Sequence, residues 1–427
     1  MPEVIDSLRK HRWKWSVLAV AMCGLGIRVA FIWFGSRRDG PVGDQLFYSA
    51  QAIANARGDW FEQPFMNGVP AADHPPLTAL VITPVTWLFE WTGSVVTMQR
   101  LQMAVIGTVS VFAMAHLGRL VGGKRTGFLA AVITTLYVNV WINDGLIMAE
   151  TLTFLLVTLI TISVLQSIAR PSPNRFAQIG LLCALAALTR AELAVLVPMI
   201  AALAAFVLRG RDRTKTSANI GAMMAVFVVV ISPWVVWNQL RFDGQAFLST
   251  NDGLTLAGAN CDRTYFDDVG GWDIWCAYGV EVPEDADPAE ASAIMRAAGL
   301  EYWRENLDRY PTVAAARLAR LFSFGYLGAS ADASTAEGRP VWLSQIGFLQ
   351  YWTMIPFAII GFRRRTARLE RFVLLGTVPL VVIVGLVANA YVRFRVPSEV
   401  GLIVLASLGV ESVRSAVGRG LSERRLI

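Results

Sequence analysis

The sequence predicts an all-α polytopic membrane protein: a bundle of about ten transmembrane helices with a small soluble segment on one face. Three observations predict it. Of 427 residues, 55% are hydrophobic and 16% charged, with a mean hydropathy of +0.49. Runs of about 20 apolar residues recur, each long enough to cross a bilayer as a helix. The basic residues behind the net charge of +6 and pI near 9.3 sit in short clusters between those runs. That is the signature of loops held in the cytoplasm, so the expected partner is the lipid bilayer and not nucleic acid.

Residues 1–13 are basic (Arg9, Lys10, Arg12), and the run from about Lys14 to Gly35 is a first span. It is too long for the core of a signal peptide, and no small-x-small cleavage site precedes Arg37 and Arg38. Charge bias places the N-terminus in the cytoplasm and the following loop outside. That loop, 41–77, holds Asp44, Tyr48, Asp73 and His74-Pro75-Pro76. A polar, irregular stretch wedged between apolar spans lines something wet and functional.

The next run, up to Trp91, is short, contains Pro84 and ends in Trp87, Phe89 and Trp91. If it crossed the membrane, the clusters Arg119/Lys124/Arg125, Arg170/Arg175 and Arg209 to Lys215 would all face out. It is therefore read as a juxtamembrane helix completing an outer loop over 36–92. Spans are expected at 97–120, 124–142, 150–168, 175–189, 191–208 and 219–238, with Asn143, Asp144 and Glu150 in one outer turn and Thr189, Arg190 and Glu192 in the next.

Residues 241–341 read as an extracytoplasmic soluble or interfacial segment. It carries Cys261, Cys276, a polar helical stretch from Ala289 to Tyr310, and an interfacial piece with Arg317, Arg320, Phe322, Phe324 and Tyr326. Spans at 342–361, 371–389 and 399–414 close the chain, with Arg363–Arg365 inside and Arg393 and Arg395 outside. The organisation is a transmembrane module over 1–240, the soluble segment, and C-terminal helices with a cytoplasmic tail over 342–427.

Cys23 and Cys183 lie in apolar runs and serve as small core residues. Cys261 and Cys276 share the segment placed in an oxidising compartment, so a disulfide between them is expected. With no CxxC and three histidines (His11, His74, His116), a zinc cluster is not expected. No Walker A loop, dinucleotide glycine pattern or long-period repeat is present, so ATP-driven transport has no engine here.

In order along the chain stand Gly43-Asp44-Gln45 with Tyr48, Asp73-His74-Pro75-Pro76-Leu77, Arg100, and Met148-Ala149-Glu150-Thr151. Leu188-Thr189-Arg190 and Arg393-Phe394-Arg395-Val396-Pro397 follow. On these residues the chain resembles the GT-C glycosyltransferases, and within them the protein-mannosyltransferase and aminoarabinose-transferase branch. The resemblance covers most of 14–240 and the last 40 or so residues. The chain departs in having fewer C-terminal spans, and in His74 where relatives carry lysine. The resemblance implies a GT-C bundle at the cell membrane and a sugar donor linked to a polyprenyl phosphate. It also implies transfer to an acceptor hydroxyl on the outer face, with inversion, the acceptor being a glycan, lipid or protein.

Such a transfer needs a base for the acceptor proton and cations for the departing phosphate. Asp44 and Asp73 are the catalytic candidates. For Asp44 two roles stand open, base and N-cap of the helix after it, and one residue can serve both; Asp73 is alternatively a turn acid. A divalent cation between Asp44 and Asp73 is the one cofactor left open, with no further ligands in evidence. Candidate phosphate ligands are His74, Arg28, Arg190, Arg393 and Arg395. Arg28 lies about 12 Å into the first span, where a charge costs about 2.5–3.5 kcal/mol unless it snorkels or lines a cavity. For Arg190 the alternative is a pairing with Glu192, although residues two apart on a helix do not face each other. Tyr48, Glu150 and Asp144 are expected to line the sugar or acceptor, with membrane anchoring and helix capping as their structural alternatives. The competing functions are a lipid or sugar transporter, which would carry mid-span ionisable groups and pseudo-repeats, and an inactive scaffold of the same fold.

Overall fold

A computed structural model describes residues 2–210, 212–364, 368–388 and 390–423; Arg211 and Arg365 of the basic clusters lie outside them. Among the described residues there is no strand, only an isolated bridge between Glu62 and Pro70. The first helix, α1 (Pro2–Phe34), leads through a short 3-10 turn to α2 (Asp44–Arg57) and α3 (Leu77–Phe89). Then come α4 (Val95–Leu136), α5 (Val138–Asp144), α6 (Ala149–Ala169), α7 (Pro173–Ala187), α8 (Leu196–Val207) and α9 (Arg213–Arg241). The middle segment contains α10 (Asp252–Ala259), α11 (Ile274–Tyr278), α12 (Pro288–Glu305), α13 (Tyr310–Leu321) and α14 (Leu327–Ala333). The chain finishes with α15 (Val341–Arg364), α16 (Arg368–Leu374), α17 (Val378–Val387) and α18 (Val396–Glu423).

Seven helical stretches among the described residues are long and apolar enough to cross a membrane. The longest, α4, is two helices: Gly123 breaks it with φ 86° and ψ −175°, a conformation open to glycine, and the chain turns back there. That break and the shorter apolar run from Ala191 to Val207 fall where further spans are expected, and α7 covers the run expected at 175–189. The segment after Pro76 is α3, a shorter apolar helix of 13 residues or about 20 Å, against about 30 Å of hydrocarbon. It runs beside α2, the two joined at their far end by Arg57 and Glu90 at 2.6 Å.

The bundle has two chemically distinct ends. At one, Trp13 Nε1 donates to the Lys124 carbonyl at 2.8 Å and Arg125 pairs with Glu411 at 3.3 Å. At the other lie the first loop, the starts of α6 and α18 and the middle segment; this is the loop end. The main core between them joins α4, α6, α7, α8, α15 and α18 around Phe154, Val157, Met114, Ile403 and Val404.

One expectation is corrected here. The expected span over 124–142 stops at Leu136, because Tyr137 takes an extended conformation (φ −74°, ψ 110°) and α5 starts afresh. That break carries Asn143 and Asp144 back into the bundle, where both are buried, instead of leaving them in an outer turn. In the piece expected at an interface, Phe324 and Tyr326 are exposed, while Arg317 is buried and donates to the Leu386 carbonyl at 2.6 Å and Arg320 pairs with Asp268.

The middle segment is fastened to the bundle. Thr250 N donates to the Ala72 carbonyl at 2.7 Å, the Ser249 hydroxyl donates to the Asp73 carbonyl at 2.6 Å, and Gln45 Nε2 donates to the Glu337 carbonyl at 2.7 Å. Cys261 and Cys276 are joined in a disulfide, and α12 opens with a capping box between Asp287 and Glu290. Cys23 and Cys183 are free thiols; Cys183 is buried as expected, but Cys23 is exposed on the surface of α1 and not a core residue.

Candidate active site

At the loop end five chain segments distant in sequence bring their charges together. Asp44 begins α2. Its side chain makes no cap bond, because Gly43 at φ 55° sets the entry into the helix, so the N-cap role expected as one alternative is not what the carboxylate does. Instead Arg393, from the 3-10 turn that leads into α18, places Nη1 2.5 Å from Asp44 Oδ2. The other arm of that guanidinium, Nη2, lies 3.0 Å from Oε1 of Glu337, and Nη1 is 3.9 Å from Oε1 of Glu150. One planar fork thus bridges two carboxylates and faces a third, a geometry that arginine alone provides.

Arg190 forms the second cation of the cluster. It donates to Glu150 at 2.5 Å and to Glu192 at 2.6 Å. The Glu192 pairing, awkward on a helix, is allowed because Arg190 is extended (φ −147°, ψ 117°) and the following turn is a 3-10 helix. The Phe394 ring lies between the two cations, its centroid 4.3 Å from the Arg190 guanidinium carbon and 5.2 Å from that of Arg393. His74 Nε2 is 3.6 Å from the second oxygen of Asp44, and its ring is held by Tyr48 at 4.9 Å and Phe47 at 5.1 Å.

The electrostatics divide the carboxylates. Burial alone would raise the Asp44 pKa, but the charges of Arg393, His74 and Arg190 outweigh it and hold it at about 2. Glu337 behaves oppositely: burial dominates, the charges of Asp44 and Glu150 add to it, and the compensation from Arg393 and Arg339 leaves it pushed up to about 7. Burial also raises Asp73, against the pull of His74 and the Gln63 hydrogen bond. The Tyr48 phenol is raised by burial and then by Asp44 and Glu150, so it stays protonated.

The structure brings Asp44, His74, Tyr48, Glu150, Arg190 and Arg393 into one cluster and leaves the other candidates outside it. Asp73 is adjacent through His74, but its carboxylate is turned to Gln63 Nε2 at 3.0 Å. A cation between Asp44 and Asp73 does not fit: the Asp44 oxygens face Arg393 and His74, and among the described residues no group of three or more His, Cys, Asp or Glu side chains is placed to hold a metal. Arg28 and Asp144, expected at the phosphate and the acceptor, are spent on each other at 2.8 Å, both buried. Arg395 points the opposite way from Arg393, because successive residues of a tight turn diverge. It is buried against Glu399 at 2.9 Å, over the Tyr351 ring at 3.6 Å. These three residues brace the bundle.

Sequence reasoning missed Glu337 and gave Gln45 no role. Gln45 connects the cluster inward: its Nε2 holds the Glu337 backbone, and its Oε1 lies 3.4 Å from Arg100 Nη2. The available signal for Glu337 was slight: an acidic residue in a short polar turn just ahead of an apolar span, whereas Asp44 stood out by following the first span.

The family model described as dolichyl-phosphate-mannose-protein mannosyltransferase matches residues 73–237, about two fifths of the chain. No curated protein matches the chain in sequence. Among solved structures, the archaeal oligosaccharyltransferase AglB from Archaeoglobus fulgidus, in complex with an inhibitory peptide and a dolichol-phosphate, is similar with a TM-score of 0.61. The identity is 14%, over 98% of this chain and 52% of that one. The Archaeoglobus fulgidus oligosaccharyltransferase tethered to an acceptor peptide is similar at a TM-score of 0.58 and 13% identity, over 96% and 50% of the two chains. ArnT from Cupriavidus metallidurans bound to undecaprenyl phosphate gives a TM-score of 0.45 at 15% identity, over 94% and 78%. The chain spans about half the length of the archaeal proteins it matches.

Proposed function

We propose that this chain, a membrane protein with the GT-C fold, transfers a sugar from a polyprenyl-phosphate donor to an acceptor hydroxyl at the loop end of its bundle. The observation that carries the reading is the cluster itself. Two guanidiniums, an imidazole and several carboxylates converge where the first loop meets the ends of membrane-crossing helices, so a lipid phosphate and a water-borne acceptor can meet there. The AglB structure of the same fold holds a dolichol-phosphate, and the matching family model is described by a dolichyl-phosphate sugar donor. Both support this class of donor.

In this mechanism Arg190, Arg393 and His74 receive the phosphate and stabilise the charge that grows on it as the glycosidic bond breaks. Asp44 takes the acceptor proton during a single displacement with inversion. A carboxylate held at about 2 is a weak base while Arg393 is bound to it. The donor phosphate, by drawing Arg393 toward itself, restores its basicity, so the base is armed only when donor is present. Tyr48 and Phe47 support this by holding the His74 ring in position, and Asp73, turned to Gln63, contributes its charge beside the imidazole.

The loop end is assigned to the outer side of the cell membrane. Lys124 and Arg125 stand at the opposite end, and positive charge is retained in the cytoplasm. The segment 241–341 then acts as the outer wall of the site on a module formed by 1–240 and closed by 342–427.

The test is to incubate the purified full chain with a panel of polyprenyl-phosphate sugars and a mixture of acceptors, and to follow release of polyprenyl phosphate. Consumption of one donor, lost in Asp44→Asn, is expected. Donor binding without consumption in any combination would leave the lipid-transporter reading in its place.

A further inference from the structure

Each cation of the cluster is engaged by a carboxylate or an amide. Asp44, Glu150, Glu192 and Glu337 surround Arg190 and Arg393. Arg339, whose guanidinium is bound to Asn143, is the third arginine beside them, and His74 faces Asp44. An anionic phosphate that draws Arg393 away from a carboxylate would strand that carboxylate, buried and unpaired, at a cost that normally forces it to take up a proton.

We infer that Glu337 is the carboxyl that compensates the charge: when a lipid phosphate takes Arg393, Glu337 releases the guanidinium and binds a proton from solvent. The inference rests on the functional reading above. Geometry selects Glu337 over its neighbours. Asp44 keeps His74 beside it after Arg393 departs, and Glu150 keeps Arg190 at 2.5 Å. Among the described residues Glu337 has Arg393 as its only ion pair; its Oε2, like that of Glu150, is buried without a hydrogen-bond partner, and the residue is 7% exposed. The groups that face it are Asp44 from α2, Glu150 from α6, Arg393 and Tyr391 from the turn before α18, and Arg339 two residues on. With Arg393 withdrawn, the acids among these outnumber the single remaining arginine, so the proton is held more tightly. Its already elevated pKa of about 7 means that the uptake falls in an accessible range.

The sign follows. Below pH 7 Glu337 is already protonated, and binding takes up no proton. Above it, binding must draw one in, so affinity falls as pH rises, by up to about tenfold per unit. The probe is farnesyl methyl phosphate, a diester with one fixed negative charge and no ionisation of its own in this range. Calorimetric titration of the detergent-solubilised full chain in two buffers of different ionisation heat reads the proton count directly. Uptake approaching one proton is expected at about pH 8 and near none at about pH 5.5. In Glu337→Gln binding persists, with near-zero uptake and a Kd flat over the same range. His74→Asn, in which binding weakens, keeps the uptake per probe molecule bound. Binding by the wild type with no proton uptake at about pH 8, or uptake lost in His74→Asn and kept in Glu337→Gln, overturns the inference alone. Failure of the wild type to bind the probe at any pH overturns the lipid-phosphate reading, and this inference with it.

Discussion

Asp44 and Arg393 are 349 residues apart, yet Oδ2 of one and Nη1 of the other meet at 2.5 Å. That contact closes the bundle: it joins the loop after α1 to the turn before α18. It also fixes what each residue can do, since the guanidinium cannot hold a phosphate fully while it holds the carboxylate.

Asp44→Asn separates the two roles. The amide keeps the shape and removes the charge that competes for Arg393. Turnover is expected to fall by at least about 100-fold, as for loss of a positioned base, while affinity for the lipid phosphate holds or tightens. Steady-state kinetics beside direct lipid-binding measurements check this split. Equal losses in both would make Asp44 a binding residue only.

Arg393→Lys keeps the positive charge but cannot bridge Asp44 and Glu337 as a planar fork does. Turnover should fall by about 10² or more with the fold retained. Arg393→Ala is expected to do more, destabilising the chain by about 3–5 kcal/mol because it leaves carboxylates buried together. Thermal unfolding in detergent distinguishes the two variants.

Glu337 sets a stability dependence on pH with an unusual sign for an acid. Its folded pKa of about 7 lies above the unfolded value of 4.5, so between these the folded state binds more protons than the unfolded one. Its stabilising share is complete below about pH 4.5, is lost as pH rises through about 7, and amounts to no more than about 3 kcal/mol. Comparing unfolding temperatures of wild type and Glu337→Gln across that window should show the wild type losing ground as pH rises. A constant difference between the two would remove Glu337 from the account.

The disulfide between Cys261 and Cys276 closes a loop with a sequence separation of 15. Closing a loop of that size is expected to contribute about 3 kcal/mol. Replacing both residues by Ser should lower the unfolding temperature of the middle segment and leave the bundle intact, as read by limited proteolysis under reducing and non-reducing conditions.

Reporter fusions test orientation. Fusions after Gly58 and Asp268 should report the outside and one after Gly123 the cytoplasm. An outside report from Gly123 together with Gly58 would mean that α3 crosses the membrane after all.

The helices were legible because lipid-facing apolar runs are a local property, readable residue by residue. Even the short α3 was legible as a helix from its apolar run, which ends at Trp87 and Phe89. The members of the site on loops before apolar runs (Asp44, His74, Arg190, Arg393) were legible for the same reason: a charge beside a span on the less basic side stands out. Pairing was not. Nothing local tells that Arg28 and Asp144, 116 residues apart, cancel each other, or that Arg395 turns away from the site when Arg393 turns toward it. The cap reading of Asp44 failed on a single backbone angle, that of Gly43. Glu337 escaped notice because its significance lies entirely in what it meets across the fold.

Gly43 also determines how freely this architecture can be recombined. A Cβ there would stand 2.7 Å from the Ala336 carbonyl oxygen and 2.9 Å from Glu337 Oε2, so the first loop and the turn over Ser334–Glu337 are fitted against each other with no room for a side chain. The middle segment is therefore not an interchangeable cap. A chimera that grafts a foreign segment onto this bundle would need to bring a matching turn and carboxyl to Gly43, and a homologue with a larger residue at this position would have to have rebuilt both surfaces together.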